Sequence, residues 1–304
     1  MHKRISPHAQ AVWQALLVTF LWSTSWVLIK LGLQDIPPVT FAGLRYFLAF
    51  LALIPFYRRR QNATPLRALS RRDWLNLIGL GLLYYTITQG SQFMGLAYLP
   101  AITFSLLLNS TAVVVTILGI PLLREIPTWL QWGGMLVFVA GALVFFYPLV
   151  IPAGQGIGYV IAAVHILATS LSSIAGRGVN RGQRIHPLTV TMVSMGVGSV
   201  VMLAAGLLLE PWPQLTLTSW AIVVWLAVVN TAVAFTIWNH TLRTLSAMES
   251  SIINNTMLIQ ITVLAWLFLG ETLTGVKIIG LVLAALGALL VQVRFGKGRQ
   301  PLDS

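Results

Sequence analysis

The chain has 304 residues, a net charge of +12 and no cysteine; 57% of its residues are hydrophobic and only 9% are charged. A soluble domain carries about 25% charged residues, so this composition excludes a water-solvated globule and selects lipid as the solvent. Disulfides and thiolate metal sites are excluded with the cysteine, and the basic residues sit in short loops between apolar runs, where they orient membrane segments rather than bind nucleic acid.

A membrane-spanning helix needs about 20 mostly apolar residues. Ten segments qualify, at 11–31, 41–57, 74–96, 100–122, 130–149, 155–176, 187–209, 218–242, 247–269 and 274–294. The first runs past signal-peptide length into Lys30 without a small-residue cleavage site, so no cleaved leader is expected. The connections are short and rich in turn residues, as in Asp35-Ile36-Pro37-Pro38 and Glu125-Ile126-Pro127. With the N-terminus in the cytoplasm, 16 of the 19 basic residues fall on the cytoplasmic side, and only Lys30, Arg45 and Lys277 lie on or near the other. Both termini are therefore expected to be cytoplasmic.

The stretch Leu96–Leu143, moved forward by 146 residues without a gap, falls on Leu242–Leu289, and 14 of the 48 pairs are identical. Leu and Ala matches are cheap in so apolar a chain, but Ser105 on Ser251, Asn109 on Asn255, Glu125 on Glu271, Gly134 on Gly280 and Gly141 on Gly287 are not. An offset near half the chain length indicates two copies of one unit. Five spans per copy is an odd number, so the second copy enters the membrane from the opposite side. The expected fold is an all-α membrane protein of ten transmembrane helices in two inverted five-helix repeats (5+5). Its expected divisions are a tail at 1–10, repeats at 11–149 and 150–294, and a tail at 295–304. Inverted repeats place a substrate near the bilayer midplane, between the copies.

Trp22-Ser23 followed by Lys30, then Pro37-Pro38 and Arg45, resemble the start of an EamA-type unit. The run ending in Leu123-Arg124-Glu125 with Gly134 and Gly141 resembles its second part, repeated in Leu269-Gly270-Glu271, Gly280 and Gly287. Over residues 11–294 the chain resembles the ten-helix EamA family of the drug/metabolite transporter superfamily. The resemblance implies a central cavity, alternating access and export of amino acids, aromatic ones among them, or of other metabolites. Many EamA units carry a proline midway along the fourth and ninth helices, where this chain has Thr111 and Met257. Bending is therefore expected in the third span, which holds Gly79, Gly81, Gly90 and Gly95, while the glycine-free eighth span is expected to stay rigid.

Polar residues inside a membrane turn toward the bundle interior and mark pathways. The candidate cavity residues are Trp22, Ser23, Tyr85, Gln89, Gln92, Ser105, Asn109, His165, Trp238, Ser251 and Asn255. Asn109 and Asn255 sit mid-span at matching positions, and a carboxamide offers donors and an acceptor suited to a zwitterion; the competing reading is hydrogen bonding between helices. Tyr85, Gln89 and Gln92 form one stripe. His165 lies ten residues into the sixth span and reads as a neutral histidine bonded to a neighbouring helix, as a substrate contact, or as a proton carrier. No acidic residue falls at mid-depth, which favours facilitated flux. Glu125 and Glu271 end the fourth and ninth spans on opposite faces. They read as structural caps or as latches, pairing with a cation or with N–H groups at the start of the fifth or tenth span. Lys30 and Arg45 read as snorkelling to the headgroups, with an anionic substrate as the alternative. The Gly134/Gly141 and Gly280/Gly287 seams serve close packing, inside the bundle or between protomers.

No enzyme is expected: the chain has no cysteine, no mid-depth carboxylate pair and no HExxH. No metal or cofactor is expected either. The partners are a small-molecule substrate and the bilayer, with the chain a monomer or homodimer in a prokaryotic plasma membrane. The alternatives are a selective channel, or a proton-coupled exporter using His165.

Overall fold

The computed structural model describes residues 6–60, 63–123, 126–181, 185–242, 244–245 and 247–292. Among them there is no strand. The helices are α1 (Pro7–Gly32), α2 (Pro38–Arg59), α3 (Arg71–Leu80), α4 (Gln89–Tyr98), α5 (Ala101–Asn109), α6 (Thr111–Leu123) and α7 (Trp129–Phe145). The second half has α8 (Gly156–Arg181), α9 (Pro187–Leu209), α10 (Leu217–Ala227), α11 (Ala234–Thr241), α12 (Ala247–Leu269) and α13 (Gly275–Gln292). A π-helical segment, Gly81–Thr88, joins α3 to α4, and a second, Val228–Val233, joins α10 to α11. Eight stretches are long and apolar enough to cross a membrane, and α7 is a shorter apolar helix of 17 residues.

Helix starts follow local chemistry. Pro38 and Pro187 open α2 and α9, where a missing N–H costs nothing. Thr128 and Gln131 form a capping box at α7, as Ser70 and Asp73 do at α3. The outward faces are apolar: Leu136, Leu208 and Trp129 are 73%, 82% and 91% exposed. Such a surface fits lipid, which gains nothing from polar groups. Trp132, Trp212, Trp220, Trp225 and Trp266 are exposed too. Trp26 alone of the tryptophans is buried in the core.

Small residues bring the two halves into contact. Along α7 and α13 a Cβ added at Gly134 would lie 2.9 Å from the Gly287 carbonyl oxygen, and one at Gly141 would lie 2.8 Å from that of Gly280. The pairs run in opposite chain directions, so the two equivalent helices pack antiparallel, backbone to backbone. Of the two readings left open for these glycines, packing inside the chain is the one observed. Gln131 Nε2 ties the same helices by donating to the Val291 carbonyl at 3.0 Å. Helices α2 and α9 are also antiparallel: a Cβ at Gly43 would meet Leu203 Cα at 2.6 Å, and one at Gly206 would meet Thr40 N at 2.6 Å. Without a hydrophobic driving force between helices in lipid, such close approach supplies the dispersion contact that holds them.

The eighth span, expected to stay rigid for want of glycine, carries the π segment Val228–Val233. A shift of 146 residues lays 82–87 on 228–233, so both halves depart from α geometry at the same place. The fourth span breaks at Ser110 without a proline, between α5 and α6, whereas its counterpart α12 is continuous.

Candidate functional site

The two π segments organise the middle of the bundle. Thr88 Oγ1 donates to Leu83 O at 3.0 Å and Thr231 Oγ1 to Leu226 O at 2.9 Å, each closing on the carbonyl five residues back. π-bulges of this kind collect at functional sites. Each presents side chains that a regular helix would turn elsewhere.

Against the second segment lies Arg45 of α2. The snorkelling expectation fails here: Arg45 is 5% exposed, and its side chain runs inward. Its Nε donates to Thr231 Oγ1 at 3.2 Å, and its guanidinium carbon lies 5.2 Å from the Tyr46 ring centroid and 6.0 Å from that of Phe93. Such cation–π contacts offset part of the cost of burying the charge. Tyr46 donates to Gln89 Oε1 at 2.6 Å and stacks edge-on to Tyr85 at 5.6 Å. The predicted stripe residues Tyr85 and Gln89 are thus joined through Tyr46, while Gln92, next on that face, is half-buried.

His165 of α8 is 4% exposed and meets the first π segment. Its Nδ1 lies 2.9 Å from the Thr88 carbonyl and 3.2 Å from Ser91 Oγ. A carbonyl only accepts, so Nδ1 carries the proton and donates to it. The ring stands edge-on to Phe104 at 5.7 Å. The interhelical hydrogen bond of the first of the three readings is thus present.

A third group lies between α1 and the second half. Ser23 Oγ sits 2.9 Å from Gln260 Oε1, and Gln260 Nε2 donates to Thr19 Oγ1 at 3.2 Å and Thr256 Oγ1 at 3.0 Å. Trp22 stacks with Trp238 at 5.2 Å and with Phe235 at 5.3 Å, all three half-buried. Asn230, fully buried in the second π segment, donates through Nδ2 to Leu21 O and to Ser25 Oγ at 2.8 Å. Gln260, Asn230, Thr231 and Tyr46 were missed by the sequence reading. Their signal was a polar group in the middle of an apolar span.

The remaining expected residues are placed apart from these. Ser105 donates to Ile102 O of its own helix at 2.9 Å, and Asn109 Nδ2 donates to Ser105 O at 2.8 Å beside the break at Ser110. Asn255 Nδ2 donates to Gln292 Oε1 of α13 at 3.0 Å. The Ser251 side chain and Glu125 lie outside the described residues. Glu271 is fixed: Oε1 and Oε2 accept from Ala101 N at 2.5 Å and Ile102 N at 2.9 Å. The helix it caps is α5, in the fourth span, not the fifth or tenth as expected. Gly270 makes this possible, its φ of +65° turning the chain at the end of α12. Glu210 caps α2 likewise, accepting from Val39 N at 3.0 Å and Thr40 N at 2.7 Å.

Comparison with known proteins gives the class. The chain matches the EamA-like transporter family twice, over residues 9–147 and 156–293, and belongs to it. It is 28% identical over 292 residues to a probable amino-acid metabolite efflux pump of Salmonella typhimurium, covering 90% of this chain and 91% of that one. It is 27% identical over 216 residues to the uncharacterized transporter YvbV of Bacillus subtilis, spanning 67% of this chain and 66% of that protein. A solved crystal structure at 20% identity superimposes with a TM-score of 0.66 over 93% of this chain and 97% of the other, which establishes likeness of fold.

Proposed function

We propose that the protein moves a small neutral or zwitterionic metabolite, an amino acid with a large apolar side chain, by alternating access between two inverted five-span repeats. The repeats correspond to residues 11–149 and 150–294, with both termini cytoplasmic in a prokaryotic inner membrane. The antiparallel pairing of α7 with α13, and of α2 with α9, supports the inversion. Reading each π segment as continuous with its neighbours, and α5 with α6, makes ten rods.

The observation that carries this reading is that buried and half-buried polar side chains of the two halves meet one another inside the bundle: Ser23 with Gln260, Ser25 with Asn230, Ser91 with His165, Arg45 with Thr231. Polar groups are expensive in the membrane interior and mark substrate pathways there. The substrate-facing residues in this account are Trp22, Ser23, Tyr85, Gln89, Gln92, Ser105, Asn109, His165, Trp238, Ser251 and Asn255, with Arg45 added. Glu210 and Glu271 fasten the halves at one end of the bundle. Glu125 stands at the sequence position matching Glu271 and is proposed as the corresponding latch. Relatives named as amino-acid metabolite efflux pumps support the substrate class.

Reconstitution in liposomes tests it, with labelled amino acids supplied with and without a pH gradient. Uptake of large apolar amino acids, unchanged by the gradient, is the expected result. A strict requirement for the gradient breaks the facilitator reading and brings His165 forward as proton carrier.

A further inference from the structure

We propose that Arg45 is the carboxylate-binding subsite of this protein, and that its ligand is a monocarboxylate whose apolar part rests on the surrounding aromatic rings. This deepens the transport reading and rests on it.

The guanidinium carries five N–H donors in a fixed fork. One, on Nε, is used by Thr231. The four on the terminal nitrogens have no hydrogen-bond partner among the described residues, and no carboxylate lies within 4.0 Å of them there. The residue is 95% buried, yet its unpartnered terminal nitrogens are not among the fully enclosed polar atoms, so the fork opens on accessible space with no acceptor from the protein. The rings of Tyr46 and Phe93 attract the charge but supply no acceptor for the N–H groups.

Packing alone does not require this charge, because the chain repeats the packing without it. Aligning Pro38 on Pro187 carries Arg45 to Ser194. Helix α9 lies against the first π segment as α2 lies against the second, and Ser194 approaches Gly81 there, its hydroxyl donating to Val190 O at 2.7 Å. The same element pair is therefore built once with a serine that satisfies itself and once with an arginine that does not. The second π segment then does for Arg45 what a positioning residue does. Thr231 gives its proton to Leu226 O and its lone pair to Nε, so one edge of the guanidinium is anchored on the π segment.

A planar fork with two parallel donors per side matches a carboxylate. The neighbouring rings are aromatic: Tyr46, Tyr84, Tyr85, Phe41 and Phe93 are linked by edge contacts and cation contacts around Arg45, and of the five Tyr84 is half-buried while the others are enclosed. A carboxylate joined to an apolar or aromatic group satisfies both.

The test uses the purified full-length protein in detergent, its thermal unfolding midpoint, and three probes that differ by one group: L-phenylalanine, 3-phenylpropionate and phenethylamine. Both acids are expected to raise the midpoint and the amine is not. Arg45→Gln is expected to weaken both acids by about tenfold or more, and Arg45→Lys, a point charge without the fork, to fall between. The wild-type probe series stands even if a variant fails to fold. Equal action of the amine and the acids overturns the assignment, as does no action by either acid, or action by chloride alone. The two readings fail separately. Stabilisation by 3-phenylpropionate with no amino-acid flux in liposomes keeps Arg45 and removes the amino acid. Amino-acid flux that survives Arg45→Gln with unchanged affinity keeps transport and removes Arg45.

Discussion

Glu271 of the second half holds Ala101 of the first by its backbone N–H, at 2.5 Å, and takes the next N–H, of Ile102, with its other oxygen. The first four N–H groups of a helix have no partner within it, and Pro100 ahead of α5 brings no side-chain cap. The carboxylate meets the positive end of the helix, where an anion is favoured. Glu271→Gln keeps an acceptor and is predicted to cost less than Glu271→Ala, which orphans two donors and is expected to cost about 1–2 kcal/mol. Thermal unfolding in detergent reads both, and Glu210→Ala, at α2, is expected to behave like Glu271→Ala. Equal stability of all three variants and wild type removes the caps from the account.

The glycine seam makes a sharper stability prediction. Gly141→Val places branched atoms into the α13 backbone and is expected to lose most of the folded yield. Gly133, one position from the seam, has open space where its Cβ would be, and Gly133→Val is expected to fold normally. Size-exclusion profiles of the two variants check this; similar profiles contradict the packing described.

How much of this was legible in the sequence depends on what each residue does. The repeat was legible because caps and close contacts demand particular residue types: a glycine where two backbones touch, a glutamate where a helix start lacks a donor's partner. Both seams and Glu271 were found that way. Arg45 was misread because the second span was started at 41, which left the arginine within reach of the headgroups. The helix begins at Pro38, and Arg45 is its eighth residue, about 10 Å along the axis at 1.5 Å per residue. The π segments were not read from the sequence: glycines marked the third span only as a place to bend, and a lone threonine in an apolar span does not announce that Thr231 bonds five residues back. Asn109 and Asn255 show the limit of symmetry. Their positions match, yet one bonds its own helix beside a break and the other bonds α13, because only the first copy is interrupted there.

His165 gives a prediction about coupling. Its Nδ1–H is spent on the Thr88 carbonyl. Asparagine can offer an N–H of similar reach but cannot titrate near neutral pH. His165→Asn is therefore expected to keep folded yield and to leave the pH dependence of amino-acid flux unchanged. A pH profile that flattens in this variant assigns the proton to His165.

The contact between α1 and α12 is predicted to be a working part of the site. Ser23→Ala and Gln260→Ala are expected to couple by about 1 kcal/mol in a double-mutant cycle of stability. Trp22→Ala and Trp238→Ala, which share one ring contact, are expected to raise the half-saturating substrate concentration several-fold at normal membrane abundance. Unchanged saturation in both tryptophan variants places the substrate elsewhere.

Counterflow tests the central claim most directly, that two halves enclose one site open to one side at a time. Vesicles holding the reconstituted protein are loaded with an excess of the unlabelled amino acid that gave the fastest uptake, then diluted into a trace of the labelled form without a pH gradient. The account predicts that label rises transiently above its outside concentration before falling back. Label that climbs steadily to equilibrium, at a rate the internal load does not alter, is the behaviour of a pore and contradicts it.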